Sequence, residues 1–270
     1  MAIFRSLVGQ TAGPWRRSWT ETDTALYALA IGAGQEELAW STGREALPTF
    51  GIVLAQFGAF DERLGDYDPA LLLHGEQEIV VHQPLPASGS VSVLRTVTDV
   101  FDKGSGALVA SRWDASDDAG KPLLSTSSSV FVRGEGGFGG ERGPSLAWEP
   151  PARAPDVMLR FTTSANQALL YRLTGDHNPL HVDPEFAARG GFDRPILHGL
   201  CTYGITCRLL IREFCEASRV RRVFGRFSSP VVPGAELVVS AWRTGPGEVA
   251  FRTADADGSV VLDRGLFTYS

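Results

Sequence analysis

The sequence predicts an α+β protein of two similar halves, each a helix set against a largely antiparallel sheet. Three observations predict it. The stretch R-G-E-G-G-F-G-G-E-R-G-P-S-L-A-W-E-P-P-A-R-A-P, residues 133–155, is dense in Gly and Pro and marks a linker. Short motifs recur in the same order on either side of it. Alternating apolar runs joined by turn residues appear in both flanks. The boundaries follow: residues 1–135 form the first half, 136–154 the linker, 155–270 the second half.

The recurring motifs define the halves. T-A-L-Y-A-L at 24–29 is echoed by A-L-L-Y-R-L at 168–173, and L-L-L-H-G-E-Q at 71–77 by P-I-L-H-G-L-C at 195–201. A Pro-to-Gly turn opens an alternating run in each half, P-L-P-A-S-G-S-V-S-V in the first and P-V-V-P-G-A-E-L-V-V-S-A-W in the second. Val91–Val100 alternates as a strand, D-K-G-S-G turns the chain at 102–106, and A-L-V-A-S-R-W returns as the hairpin partner. Leu123–Val132 is a further strand. In the second half Glu236–Trp242, Val249–Thr253 and Val260–Tyr269 form a similar series. Leu200–Ala217 carries apolar residues at helical spacing and predicts a buried helix.

The 270 residues are 43% hydrophobic and 21% charged, a soluble globular composition. A net charge of −6 argues against general nucleic-acid binding but leaves room for an anionic small ligand met by a few local cations. The three cysteines, Cys201, Cys207 and Cys215, are odd in number and close together, so a reducing compartment is expected. The start, M-A-I-F-R-S-L-V-G-Q, lacks the apolar core of a signal peptide. No run approaches the ~18 apolar residues of a membrane span, and L-F-T-Y-S is not a peroxisomal tripeptide. A cytoplasmic protein away from the membrane is expected.

The chemistry concentrates in Y-R-L-T-G-D-H-N-P-L-H-V-D-P, residues 171–184. Three readings compete. His177 and His181, four apart, could ligate a metal on a helix, but Pro179 between them breaks that helix. G-D-H-N-P could simply be a turn whose Asp or Asn caps the next element. Or Asp176 and His181 could share a water molecule as an acid–base pair, with Asn178 orienting it. The third reading also needs a group to hold a developing enolate. Gly199, opening the predicted helix, could supply a backbone N–H aligned with the helix dipole. Taken alone, His74 would be a core histidine, Lys103 a solvated turn lysine and Phe227 a core residue. Arg219, Arg221 and Arg222 form a basic run suited to a helix C-terminus.

At Y-x-L-T-G-D-x-N-P-L-H, followed by G-F-x-x-P-I-L-H-G-L-C-T-Y-G, the sequence resembles the R-specific enoyl-CoA hydratases (hydratase 2, MaoC-like). The likeness extends to A-L-Y-A-L-A-I-G, L-P-T-F-G, L-L-H-G-E-Q and D-K-G-S-G in the first half, so it covers most of the chain. It is similar to the hydratase portion of peroxisomal multifunctional enzymes. The resemblance implies a double hot-dog fold, in which each half wraps a curved sheet around a helix. It implies that Asp176 and His181 are the acid–base residues, that Asn178 supports them and that the Gly199 N–H holds the thioester carbonyl. It places His74, Gly75, Lys103 and Phe227 against the acyl-CoA.

The expected activity is reversible hydration of a trans-2-enoyl-CoA to a (3R)-3-hydroxyacyl-CoA, with no metal or redox cofactor. The near alternative is the same catalyst run as a dehydratase in polyketide, sterol side-chain or fatty-acid metabolism, its substrate carried on CoA or acyl carrier protein. A non-catalytic thioester-binding protein and a metal hydrolase using His177 and His181 are the rivals from other classes. A homodimer is possible. The first half has no counterpart of G-D-H-N-P-L-H, so it is expected to be catalytically degenerate and to shape the acyl pocket.

Overall fold

The computed structural model describes residues 5–57, 67–144 and 147–270. The first half runs β1 (Thr11–Trp19), α1 (Glu21–Ala30), α2 (Leu38–Ser41), α3 (Phe50–Gln56), β2 (Leu72–Val81), β3 (Gly89–Asp102), β4 (Gly106–Ser116) and β5 (Pro122–Arg133). The second runs β6 (Val157–Thr162), α4 (Gln167–Arg172), α5 (Pro184–Arg189), α6 (Gly199–Phe214), β7 (Val220–Phe227), β8 (Glu236–Gly245), β9 (Glu248–Asp255) and β10 (Val260–Tyr269). All ten strands join in one sheet, in the order β1-β3-β4-β5-β2-β7-β10-β9-β8-β6. Read outward from the β2–β7 seam, the two halves have the same strand order. The duplication is therefore a pseudo-two-fold, and the seam is an antiparallel pairing of Glu76–Val80 with Arg226–Arg222.

The expected strands are present with slightly wider bounds, and the duplication is corrected at one point. T-A-L-Y-A-L and A-L-L-Y-R-L are equivalent: they lie on α1 and α4, and the rings of Tyr27 and Tyr171 meet edge-on at 6.3 Å. The two Pro-to-Gly turns are also equivalent, leading into β3 and β8. The two L-H-G triplets are not. Leu73-His74-Gly75 lies on strand β2, whereas Leu197-His198-Gly199 leads into helix α6. The strand equivalent to β2 is β7, and α3 is the shortened counterpart of α6.

Local chemistry explains the helices. α1 starts at a capping box, in which the Thr20 side chain accepts from Asp23 N–H and the Asp23 carboxylate accepts from Thr20 N–H. α6 is buried at every position from Leu200 to Ile211 because the curved sheet encloses it. A helix largely apolar on every face is stable only when so enclosed, and its buried Thr206 and Arg208 bond to Thr253 and Glu37. Each fully buried Leu or Ile contributes about 1.5–3 kcal/mol. The helix stops at Phe214, three residues earlier than expected, and Cys215 is extended.

The halves interlock at the C-terminal end of α1. The carbonyls of Ala30 and Ile31, which no helical N–H reaches, are met from the second half. Gln167 Nε2 donates to Ala30 O at 2.7 Å and Arg208 Nε to Ile31 O at 3.0 Å. Among the described residues from 134 to 156, a stretch that spans the expected linker 136–154, there is no helix or strand, but the beginning of this stretch is held. The Asp102 carboxylate, in the β3–β4 turn, accepts N–H bonds from Gly104, Gly137, Gly139 and Gly140. Those bonds stabilise the charged carboxylate and pull its pKa down to about 2. Cys201, Cys207 and Cys215 are free thiols. Among the described residues no helix is long and apolar enough to cross a membrane.

Candidate active site

The segment 173–182 leaves α4 as a tight loop fixed by its own polar groups. Arg172 Nη1 donates to His177 O at 2.7 Å. Asn178 Oδ1 accepts from Leu180 N–H at 3.0 Å and so caps the single 3-10 turn Pro179–His181. Gly175 has φ +129, a conformation in which an L side chain is strained, and an added Cβ would lie 3.3 Å from Phe57 Cβ. The turn reading of the sequence is thus correct for the loop's form. What the loop does is swing Asp176 and His181 toward the start of α6.

The side chains converge there. Asp176 Oδ1 accepts from Asn178 N–H at 3.1 Å. His181 Nδ1 lies 2.9 Å from Ile196 O. A carbonyl only accepts, so Nδ1 carries the proton and Nε2 is left bare. His198 stacks on His181 with ring centroids 3.7 Å apart and planes 29° apart. Burial raises the pKa of Asp176, with His181 opposing the rise, and lowers that of His181, with Asp176 opposing the fall. The two groups' affinities for a proton therefore converge.

Asp176, His181 and His198 present ligand atoms within 4.8 Å of one another, the residue types of a metal site. The stack works against one. An ion must approach each imidazole in its ring plane at about 2.0–2.1 Å, and two nearly parallel rings 3.7 Å apart do not share such a point. His177, the partner in the sequence-level metal reading, is exposed and outside this cluster.

The cluster opens on a cavity of about 480 Å³ walled by both halves. Asp176, Asn178, His181 and Gly199 line it, as do His74 and Phe227. Gly199 is the first residue of α6, where N–H groups lack helical acceptors. A Cβ there would come 3.1 Å from the Phe227 ring, so glycine lets ring and helix start approach. His74 Nε2 lies 3.1 Å from Ser128 Oγ, and its ring is 4.6 Å from that of Phe227. Burial holds the His74 pKa down to about 4, so it is neutral.

Two expected residues fall elsewhere. Gly75 sits at the register shift of β2 between His74 and Glu76, behind the wall, where a Cβ would meet Ser129 Oγ at 2.8 Å. Lys103 is not among the cavity's lining residues; its ammonium donates to Arg142 O and lies 5.4 Å from the Phe101 ring. Arg133, at the end of β5, is the one Lys or Arg among the described residues that lines the cavity. It donates to Gly190 O and lies 5.9 Å from the Phe192 ring. Nothing in the local sequence V-F-V-R-G distinguishes it from a strand-end arginine. Its place depends on the second half crossing in front of it. Gln56, Trp113, Ser128 and Thr202 are further lining residues that local pattern does not reveal.

A double hot-dog with a buried Asp–His cluster at the head of its long helix is the class that fold and cavity define. Residues 18–134 match the MFE-2 hydratase 2 N-terminal domain and residues 148–264 the MaoC like domain. A 3-hydroxyacyl-thioester dehydratase of Mycobacterium tuberculosis is 42% identical over 100% of this chain and 99% of its own. An enoyl-CoA hydratase of the same organism is 42% identical over 94% of each. A crystal structure of a MaoC-like dehydratase from Phytophthora capsici superposes with TM-score 0.88 at 32% identity, covering 98% of this chain and 97% of that one. A Mycobacterium tuberculosis structure described as a double hotdog fold shares 15% identity at TM-score 0.63, over 97% and 96%, a likeness of fold alone. The chain belongs to the MaoC-like dehydratase family, in its two-domain hydratase 2 branch, and is an enzyme of that family.

Proposed function

We propose that this enzyme reversibly hydrates trans-2-enoyl-CoA to (3R)-3-hydroxyacyl-CoA. The observation that carries the proposal is the convergence of Asp176, His181 and the head of α6 on one cavity. The thioester carbonyl accepts from the Gly199 N–H, where the helix dipole favours developing negative charge. The bare His181 Nε2 takes a proton from water as the water oxygen bonds to C3. The C2–C3 π electrons move toward the carbonyl, giving the enolate. The Asp176 carboxyl, whose proton affinity burial raises, gives its proton to C2 as the enolate collapses. The cycle closes when the proton on His181 passes to Asp176, a transfer made easy by their converged affinities. No step calls for a metal or redox cofactor.

Asn178 fixes the loop that carries the pair. His74 and Phe227 form the opposite wall, and Gly75 allows β2 to bend there. Arg133 meets the anionic end of the carrier, with Lys103 further out along the same path. The first half is catalytically degenerate and supplies the acyl pocket. The reverse reaction, dehydration of a 3-hydroxyacyl thioester on CoA or acyl carrier protein, uses the same atoms. It is the second reading because a relative 42% identical carries that description. A homodimer would cover Leu169 and Leu173, exposed on and just beyond α4. The unpaired thiols favour a cytoplasmic setting. The test is direct: purified enzyme with crotonyl-CoA and chelator should form the R alcohol. An S product, or activity abolished by chelation, overturns the reading.

A further inference from the structure

His198 is fully buried and does not line the cavity, yet it touches both members of the acid–base pair. Its Nε2 lies 3.3 Å from the main-chain oxygen of Asp176. Its ring stacks on that of His181 at 3.7 Å and meets that of Tyr171 at a tilt of 48°, centroids 5.0 Å apart. Its own carbonyl accepts from Cys201 N–H at 3.0 Å and Thr202 N–H at 3.2 Å, which begins α6 and sets the direction of the Gly199 N–H. One residue thus meets the carboxylate's backbone, the imidazole's face and the helix start.

The burial is not explained by packing. His198 Nδ1 has no hydrogen-bond partner among the described residues, and an orphaned buried polar atom is unfavourable. A phenyl ring would fill the space and stack without that penalty. What phenyl lacks is the N–H that reaches Asp176 O. Because a carbonyl only accepts, Nε2 carries the proton, and the orphaned Nδ1 is the bare nitrogen. Burial and the neighbouring His181 hold the His198 pKa down to about 2, so the ring stays neutral.

We infer that His198 is a positioning residue, which holds Asp176 through an Nε2–H bond to its main-chain oxygen and His181 through ring stacking, in register with the Gly199 N–H. The inference rests on the acid–base reading of Asp176 and His181. It assigns no proton transfer to His198.

The test compares His198→Phe, which keeps the ring and removes the N–H, with His198→Gln, which offers an N–H and removes the ring. Each variant should lower kcat roughly 10–100-fold, the scale of small misplacements of reacting groups, and leave KM for crotonyl-CoA within about threefold. Combined with Asp176→Asn, His198→Phe should cost little more, because it acts through the group already removed. Wild-type kcat in a folded His198→Phe, a loss confined to KM, or a loss fully additive with Asp176→Asn overturns the inference. If neither variant folds, nitrogen NMR of the wild-type ring decides. A neutral Nε2–H tautomer that does not titrate between about pH 5 and 8 supports the assignment, and a titrating or Nδ1-protonated ring overturns it. Asp176→Asn at wild-type turnover would defeat the acid–base reading itself. With that variant slow, an unimpaired His198→Phe defeats only this inference.

Discussion

Arg208 of the second half and Glu37 of the first form an ion pair at 2.5 Å with side chains only 2% and 6% exposed. The guanidinium also donates to Ile31 O and lies 4.9 Å from the Phe161 ring. Removing one member leaves the other charge buried and uncompensated, which costs about 3–5 kcal/mol. Glu37→Gln should lower unfolding stability by that order in urea titration. A loss under about 1 kcal/mol would return the pair to the modest value of an exposed bridge.

Asp176→Asn and His181→Gln should each lower kcat by about 10²–10⁴-fold, the usual effect of losing an acid–base group. The double variant should lose far less than the product of the two, because the residues act as a unit. Asparagine can still accept from Asn178 N–H through its Oδ1, so circular dichroism should be unchanged. Near-normal turnover in either single variant would remove that residue from the mechanism.

The pH–rate profile should be bell-shaped. The productive pair holds one proton. Acid adds a second, and because burial lowers the His181 pKa from its ordinary 6.5, the acid limb should lie below that value. Base removes the last proton and gives the other limb. His74, with a pKa of about 4, and His198, at about 2, stay neutral over the neutral range and add no limb there. An acid limb above pH 6.5 would contradict the burial of His181.

Arg133 and Lys103 make separable predictions. Arg133→Gln should raise KM for crotonyl-CoA severalfold while leaving kcat nearly unchanged, the pattern of lost uniform binding. The same variant should treat the N-acetylcysteamine thioester, which has no phosphates, like wild type. Lys103→Ala should have a smaller effect that fades with salt, since its ammonium is half-exposed and bonded to Arg142 O. Equal changes on both thioesters would place Arg133 against the acyl group instead.

The cavity wall from the first half includes Phe57, Leu72, Leu73 and Trp113. Trp113→Leu should shift preference toward longer or bulkier chains while crotonyl-CoA turnover is largely kept. Titration with a tight substrate analogue should give one site per chain. Two sites, or an unchanged chain-length profile, would separate the first half from substrate choice.

The loop at 171–184 and helix α6 were legible in the sequence because their signals are local: dense turn chemistry in one and apolar residues at helical spacing in the other. The hairpins β3–β4 and β8–β9 were legible for the same reason. β1 was hidden by Gly13-Pro14 and a register shift between Ala12 and Trp15. β6 is only six residues long, and β2 and β7 pair across the halves, which no local pattern records. The triplet Leu-His-Gly took two conformations because context decided it: β2 is held between β5 and β7, while α6 is enclosed by the sheet. Asp176, Asn178, His181 and Gly199 could be named from sequence spacing and family likeness together. Arg133 could not, because it enters the cavity only after the halves meet.

The β2–β7 seam has a consequence for solubility. Two separate five-stranded halves would each expose two sheet edges, and an unpaired edge is a template for association with another chain. Joining them at β2 and β7 hides two of those edges and leaves β1 and β6 as the outer strands. Those two are poor templates. β1 carries Pro14, which offers no N–H, and an exposed Arg16 paired with Asp118 at 2.9 Å. β6 is short and carries Arg160, paired with Glu236 at 2.9 Å. The same seam that joins the two halves also guards the chain against sticking to its neighbours.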